Sequence, residues 1–177
     1  MNFTETALFA PLPTTGGEGE FLFLEEEEKR HLQVLRLSKG DRFQLLDGVG
    51  GEATAELLDP KKGMAQLVSS VTHPPRPHSP SIAVSLLKSG DLEELFEHAS
   101  QLPLQQFQPL WSDYSQQSRK SGSTDSLLRR LRSKARVALK QSRQFWVTEI
   151  LEPVELSSWL EATSEEESIV LLEMSGM

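Results

Sequence analysis

The sequence predicts an α/β chain in two parts, a small β-rich barrel followed by a mostly parallel sheet with helices on its faces. Three observations lead there. The first 71 residues break into short strand-like runs separated by glycine turns. Thr72–Ser81 (THPPRPHSPS) holds four prolines in ten residues, and proline removes donors and favours extended backbone. Beyond it, apolar strand-like runs alternate with helix-spaced ones, the order of a parallel sheet. The expected units are residues 1–71, a linker at 72–81, and residues 82–177.

In the first unit Glu20–Leu24 alternates weakly, and Glu26–Arg36 places Leu32 and Leu35 at helical spacing. Ser38-Lys39-Gly40-Asp41 stops that helix, with Gly40 as the expected left-handed cap. Arg42–Asp47 and Glu52–Leu58 flank Gly48-Val49-Gly50-Gly51, a hairpin signal. Asp59–Gly63 turns the chain into a further strand, Met64–Val71.

In the second unit Ser81–Leu87 reads as a strand. Asp91, with Glu94 three residues on, reads as the cap of a helix whose apolar face carries Leu92, Leu95, Phe96, Ala99 and Leu102. Phe107–Trp111 is a second strand, and Thr124 or Asp125 opens a long helix running to about Ser142. Phe145–Leu151, a helix over Val154–Ala162, and a fourth strand at Ser168–Leu172 complete the pattern.

Composition narrows the function. The 177 residues contain no cysteine, which excludes disulfides, thiolate metal sites and cysteine nucleophiles. No apolar run reaches the roughly 18 residues of a membrane span, and Met1–Pro13 lacks a signal-peptide pattern, so the expectation is cytoplasmic. The net charge of −8 is unevenly spread. Residues 119–143 carry nine basic groups and one acidic group, while residues 144–177 carry eight acidic groups and no basic one. That basic block is the one feature suited to a polyanion.

Within it, Arg129, Arg132, Arg136, Lys140 and Arg143 fall in one helical stripe, beside an apolar face of Leu127, Leu128, Leu131, Ala135 and Ala138. A solvated structural face usually mixes signs to form i,i+4 pairs, and this stripe has no interleaved acid. His31 and Arg36 form a second candidate group, although Arg36 also suits a helix end on electrostatic grounds. His73, His78 and His98 have no metal-like spacing, so no metal site is expected. Gly48–Gly51 lies between strands rather than before a helix and fails as a dinucleotide loop.

His31-Leu-Gln-Val-Leu-Arg36, Gly40-Asp41 and Leu46-Asp47-Gly48 resemble the H-x-x-V-L-R, G-D and D-G pattern of RsmE-type 16S rRNA (uracil-N3)-methyltransferases of the SPOUT superfamily. The order of Phe107–Asp113, Ala138–Ser142 and Val147–Ile150 is similar too. The resemblance implies a PUA-like RNA-binding barrel joined to a SPOUT-type domain that binds S-adenosyl-L-methionine, knots and forms a homodimer. It implies methylation of a uridine at N3, with 16S rRNA in the small ribosomal subunit as partner. Arg36 matches the family's N-terminal arginine, so the resemblance implies that it holds RNA phosphate or the target base, with His31 beside it as a further RNA-binding candidate. The family's G-P-E-G-G loop and L-G-x-R-I-L-R-x-E-T-A segment have no counterpart among these residues, so no cofactor-binding or catalytic residue is identifiable. The chain therefore reads as an incomplete SPOUT domain. The second reading is a non-catalytic RNA-binding remnant, and the third an assembly partner whose open sheet edge another chain completes.

Overall fold

The computed structural model describes residues 3–13, 17–75, 79–113, 115–116, 121–163 and 170. Its first unit is a curled five-stranded half-barrel. The strands are β1 (Phe3–Phe9), β2 (Phe21–Phe23), β3 (Arg42–Leu46), β4 (Gly51–Asp59) and β5 (Met64–Thr72), in the order β1-β3-β4-β5-β2. β1 runs parallel to β3 and the other pairings are antiparallel. Alternation places Phe43, Leu45, Ala53, Ala55, Leu57, Ala65 and Leu67 on the concave side. Helix α1 (Glu26–Val34) closes that side with Leu32. Three glutamates in its first turn complement the helix dipole.

The second unit contains strand β6 (Ile82–Ser85), helix α2 (Ser89–Ala99), strand β7 (Gln106–Trp111) and helix α3 (Ser121–Ser142). Strands β8 (Glu149–Ile150) and β9 (Val154–Glu155) and helix α4 (Leu156–Ala162) follow. β6, β8 and β9 all pair parallel to β7. Leu92 and Phe96 of α2 and Leu127, Leu128, Leu131 and Ala135 of α3 pack with Phe107 and Ile150 in a second core.

Several elements differ from expectation. β1 has no counterpart in the sequence pattern, since its partner β3 lies some thirty residues away and nothing local marks the pairing. The segment after α3 is not one strand over 145–151. The Val147 amide donates to Gly48, the Gly50 amide donates to Phe145, and Val49 bridges Trp146, so these backbone groups serve the first unit instead. Further on, Pro153 has no amide to give, and the strand along β7 splits into β8 and β9. The buried Gln108 side chain fills the gap by donating to the Glu152 carbonyl at 2.8 Å. Asp91 is not a cap. Helix α2 starts at Ser89, and its first turn is held by Ser89 and Glu93 bonding to Arg130 of α3. Leu102 lies past the end of α2 and is exposed. Helix α3 begins at Ser121, ahead of Thr124. The strand expected at Ser168–Leu172 lies outside the described residues apart from Val170, and His78 lies outside them too.

Gly40 does not cap α1. It adopts φ +89° in the turn after the helix, while the left-handed residue that follows the Leu35 cap is Arg36 at φ +55°. The Arg36 amide donates to Gln33 and the Leu37 amide to Leu32, which closes the helix in a Schellman arrangement. Arg143 (φ +51°) ends α3 in the same way, with the Gln144 amide donating to Leu139. These are the two non-glycine residues with positive φ among those described. A left-handed L-residue costs roughly 1–2 kcal/mol, against which a cation at a helix end recovers roughly 0.3–1 kcal/mol. Arg36→Gly should therefore raise stability by about 0.5–1 kcal/mol, read as a higher urea midpoint at unchanged slope.

Candidate RNA interface

The two units meet along the second half of α3. Leu139 is buried with Ala7 of β1 and Leu46 of β3, and Phe9, Phe145 and Val147 pack around them. The Arg136 guanidinium carbon lies 4.7 Å from the centroid of the Phe9 ring, close enough for a cation–π contact. Lys140 reaches Glu28 of α1 at 2.6 Å, and both side chains are almost wholly buried. On the far side of the junction His73 stacks on Phe145 with ring centroids 3.5 Å apart and holds Glu52 at 2.7 Å.

Above the Lys140–Glu28 pair opens a cleft of about 630 Å³. Glu27 and His31 of α1 face Lys140 and Gln141 of α3, and Arg143 just past its end, across it, over Ala7. His31, Lys140 and Arg143 therefore converge, although they are up to 112 residues apart in sequence. The His31 Nδ1 atom lies 3.5 Å from the second Glu28 oxygen, Oε2, which has no hydrogen-bond partner among the described residues.

The remaining candidates are not drawn together in this way. Arg36 lies just past the C-terminal end of α1, exposed, and does not line the cleft. Arg129 is exposed on the first half of α3, and Arg132 pairs with Glu152 at 2.9 Å. The stripe is thus not a uniform track of free charge. Its own sequence lacks acids, but other elements supply them, Glu28 to Lys140 and Glu152 to Arg132. On the neighbouring face Glu93 pairs with Arg130 and Glu97 with Lys134. The Lys134 ammonium, hydrogen-bonded to Glu97, holds that exposed carboxyl below its ordinary range. Sequence reasoning missed Glu28, which reads as one of four glutamates in a favourable first turn. Its spacing to His31 was the available signal.

A model of the RNA methyltransferase domain matches residues 74–176, and a model of the RNA methyltransferase PUA domain matches residues 24–68. The chain belongs to the RNA methyltransferase family. Ribosomal RNA small subunit methyltransferase E of a Synechocystis strain is 30% identical over 141 residues, a match covering 79% of this chain and 45% of that protein. The chain thus spans about half the length of this curated relative. The fold matches that of the Neisseria gonorrhoeae methyltransferase E bound to S-adenosyl methionine, with a TM-score of 0.81 at 20% identity over 92% of this chain and 68% of that one. A predicted RNA methyltransferase of Thermotoga maritima gives a TM-score of 0.67 at 20% identity over 85% of this chain and 65% of that one. The RsmE-type resemblance of the sequence agrees with these relatives of the family.

An open α/β sheet takes its ligand beyond the carboxyl ends of its strands. In this chain the cleft lies along α3 instead. Gly90 and Gly122, the described glycines of the second unit, face open space rather than cradling anything. Neither glycine provides a close-approach cradle for S-adenosylmethionine. No helix among the described residues is long and apolar enough to cross a membrane, and no group of His, Asp and Glu among them is arranged to hold a metal.

Proposed function

We propose that this chain is the RNA-holding part of a 16S rRNA (uracil-N3)-methyltransferase, with residues 1–71 and 82–177 as its two working units joined through 72–81. The small ribosomal subunit would be the substrate, the setting cytoplasmic and the working form a homodimer. S-adenosylmethionine would supply the methyl group, and no step is assigned to it on these residues. The cleft carries this reading, because neither unit alone holds His31, Lys140 and Arg143 together. Methyl transfer to a uracil nitrogen requires the base to be fixed in line with the donor, and a strand clamped between two units is fixed in orientation as well as position. Arg129 and Arg136 would hold neighbouring phosphates, with Arg36 as a separate contact.

Removing one cation that touches a phosphate lowers the salt slope of log K by about 0.7–0.9. Arg129→Gln combined with Arg136→Gln should therefore weaken binding of a 16S rRNA fragment and flatten its slope by about 1.4–1.8. Arg132→Gln should act less, since Glu152 already offsets that charge. Filter binding across a salt series reads both effects, and an unchanged slope in the double variant would remove α3 from the RNA interface. The non-catalytic remnant shares this binding reading and differs in transferring no methyl group to the same fragment.

A further inference from the structure

The largest exposed aromatic side chains among the described residues lie on β2, just ahead of α1 in the chain. Phe21 and Phe23 are 63% and 67% exposed, while Leu22 between them turns into the first core. Both rings leave the same face of β2, which pairs only with β5 and so forms a sheet edge. Such exposure does nothing for the core, since packing the two rings inside would stabilise the fold far more. Residues two apart on a strand are separated by about 6.6–6.8 Å. That spacing is twice the ~3.4 Å rise of a stacked nucleotide.

The surroundings of Phe23 carry the charge such a ligand needs. Phe23 pairs with Met64, directly after the turn holding Lys61 and Lys62. The Leu24 amide donates to the Gly63 carbonyl at 2.9 Å, tying that turn to the end of β2. Asp59 accepts from the amides of Lys61 and Lys62 at 3.0 and 3.1 Å, so the turn is ordered. The Lys61 and Lys62 side chains are exposed and have no partner among the described residues. The stem of Lys29 lies over Gly63 beside them, its ammonium held by Glu26. Glu18 and Glu20 lie beside Phe21, and the exposed Glu25, Glu26 and Glu27 follow Phe23, so phosphates are left the Lys61–Lys62 turn on the β5 side alone.

We propose that Phe21 and Phe23 form a stacking platform for two unpaired RNA bases, with Lys61 and Lys62 holding the adjoining phosphates. It deepens the RNA reading above and rests on it. Every base has a π-face, so the platform favours single-stranded over duplex RNA and shows little sequence preference.

The test is fluorescence anisotropy of a short labelled oligouridylate, and of the same length as duplex, with the full chain. Phe21→Ala/Phe23→Ala should weaken single-strand binding at least tenfold with an unchanged salt slope. Lys61→Gln/Lys62→Gln should lower that slope by about 1.4. If the alanine variant fails to fold, Phe21→Leu/Phe23→Leu keeps apolar bulk without the ring faces and should still lose most of the preference for single strands. Full single-strand affinity in a folded variant without the rings would overturn the platform. So would a self-associating wild-type chain that becomes monomeric in the alanine variant with RNA affinity intact. The broader RNA reading fails separately, if neither this probe nor the 16S fragment binds the unaltered chain.

Discussion

Lys140→Met should destabilise the protein by about 3–5 kcal/mol, because it takes the ammonium from the buried Glu28 carboxylate and leaves only the His31 ring 3.5 Å from its other oxygen. The two side chains are 10% and 6% exposed, and Oε2 of Glu28 already lacks a hydrogen bond among the described residues. Without the 2.6 Å hydrogen bond to Oε1, neither oxygen would be satisfied. The decisive comparison is the double variant Glu28→Leu/Lys140→Met. Removing both charges leaves an apolar contact of similar volume, which should restore stability to within about 1–2 kcal/mol of the parent. Urea denaturation of the four proteins in that cycle measures the coupling directly. Additive single and double effects would mean that the pair is solvated. A second signature should accompany the single variant. Glu28 belongs to the first unit and Lys140 to the second, so the unfolding transition should broaden as the units lose their coupling.

The second large effect is expected at Gly50. Its φ of +100° is one that L side chains rarely adopt. A Cβ there would fall 2.5 Å from Cζ2 of Trp146 and 3.0 Å from the His73 carbonyl oxygen. Neither neighbour moves easily, one being a ring packed at the junction and the other backbone. Gly50→Ala should cost about 2–4 kcal/mol, combining backbone strain with overpacking. Gly40→Ala is the control, since it shares a positive φ of +89° but has nothing within 4 Å. It should cost only the backbone part, roughly 1–2 kcal/mol. The difference between the two variants isolates the steric cost at the junction, and hydrogen exchange should place it at Phe145–Val147. Equal costs at both glycines would mean that Trp146 does not press on the first unit.

What the sequence disclosed was whatever depends on near neighbours. β3, β4 and β5 alternate cleanly because one face of each is buried, and their observed bounds fall within a residue or so of the expected ones. The basic helix was visible for the same reason, since its apolar and charged faces repeat at a fixed angle. Distant partners left no local mark. Phe145–Val147 has the composition of a strand, and its hydrogen bonds go to a glycine turn about a hundred residues earlier. Glu28 looks like Glu25, Glu26 and Glu27 until Lys140 is placed beside it. Arg36 was hidden by Gly40, the residue that sterics favour for a left-handed cap. At the candidate site, the grouping of His31 with Lys140 and Arg143 depends on the packing of α1 against α3 and left no mark in the sequence. Of the acids that neutralise two of the stripe's five cations, Glu152 had no local signal and Glu28 only its spacing to His31.

The junction along α3 also bears on synthesis. Lys140 follows Glu28 by 112 residues. At about 5–20 residues per second, the ribosome leaves Glu28 without its partner for roughly 6–22 s. During that interval the half-barrel has its own small core, but Ala7, Leu46 and the Gly48–Gly51 turn face water, since their cover is the last part of α3 and the segment behind it. The nascent chain thus carries an apolar seam and an uncompensated carboxylate until α3 has emerged. Pausing translation between residues 75 and 140 should therefore prolong exposure to chaperones and proteases, whereas a pause after Val147 should not.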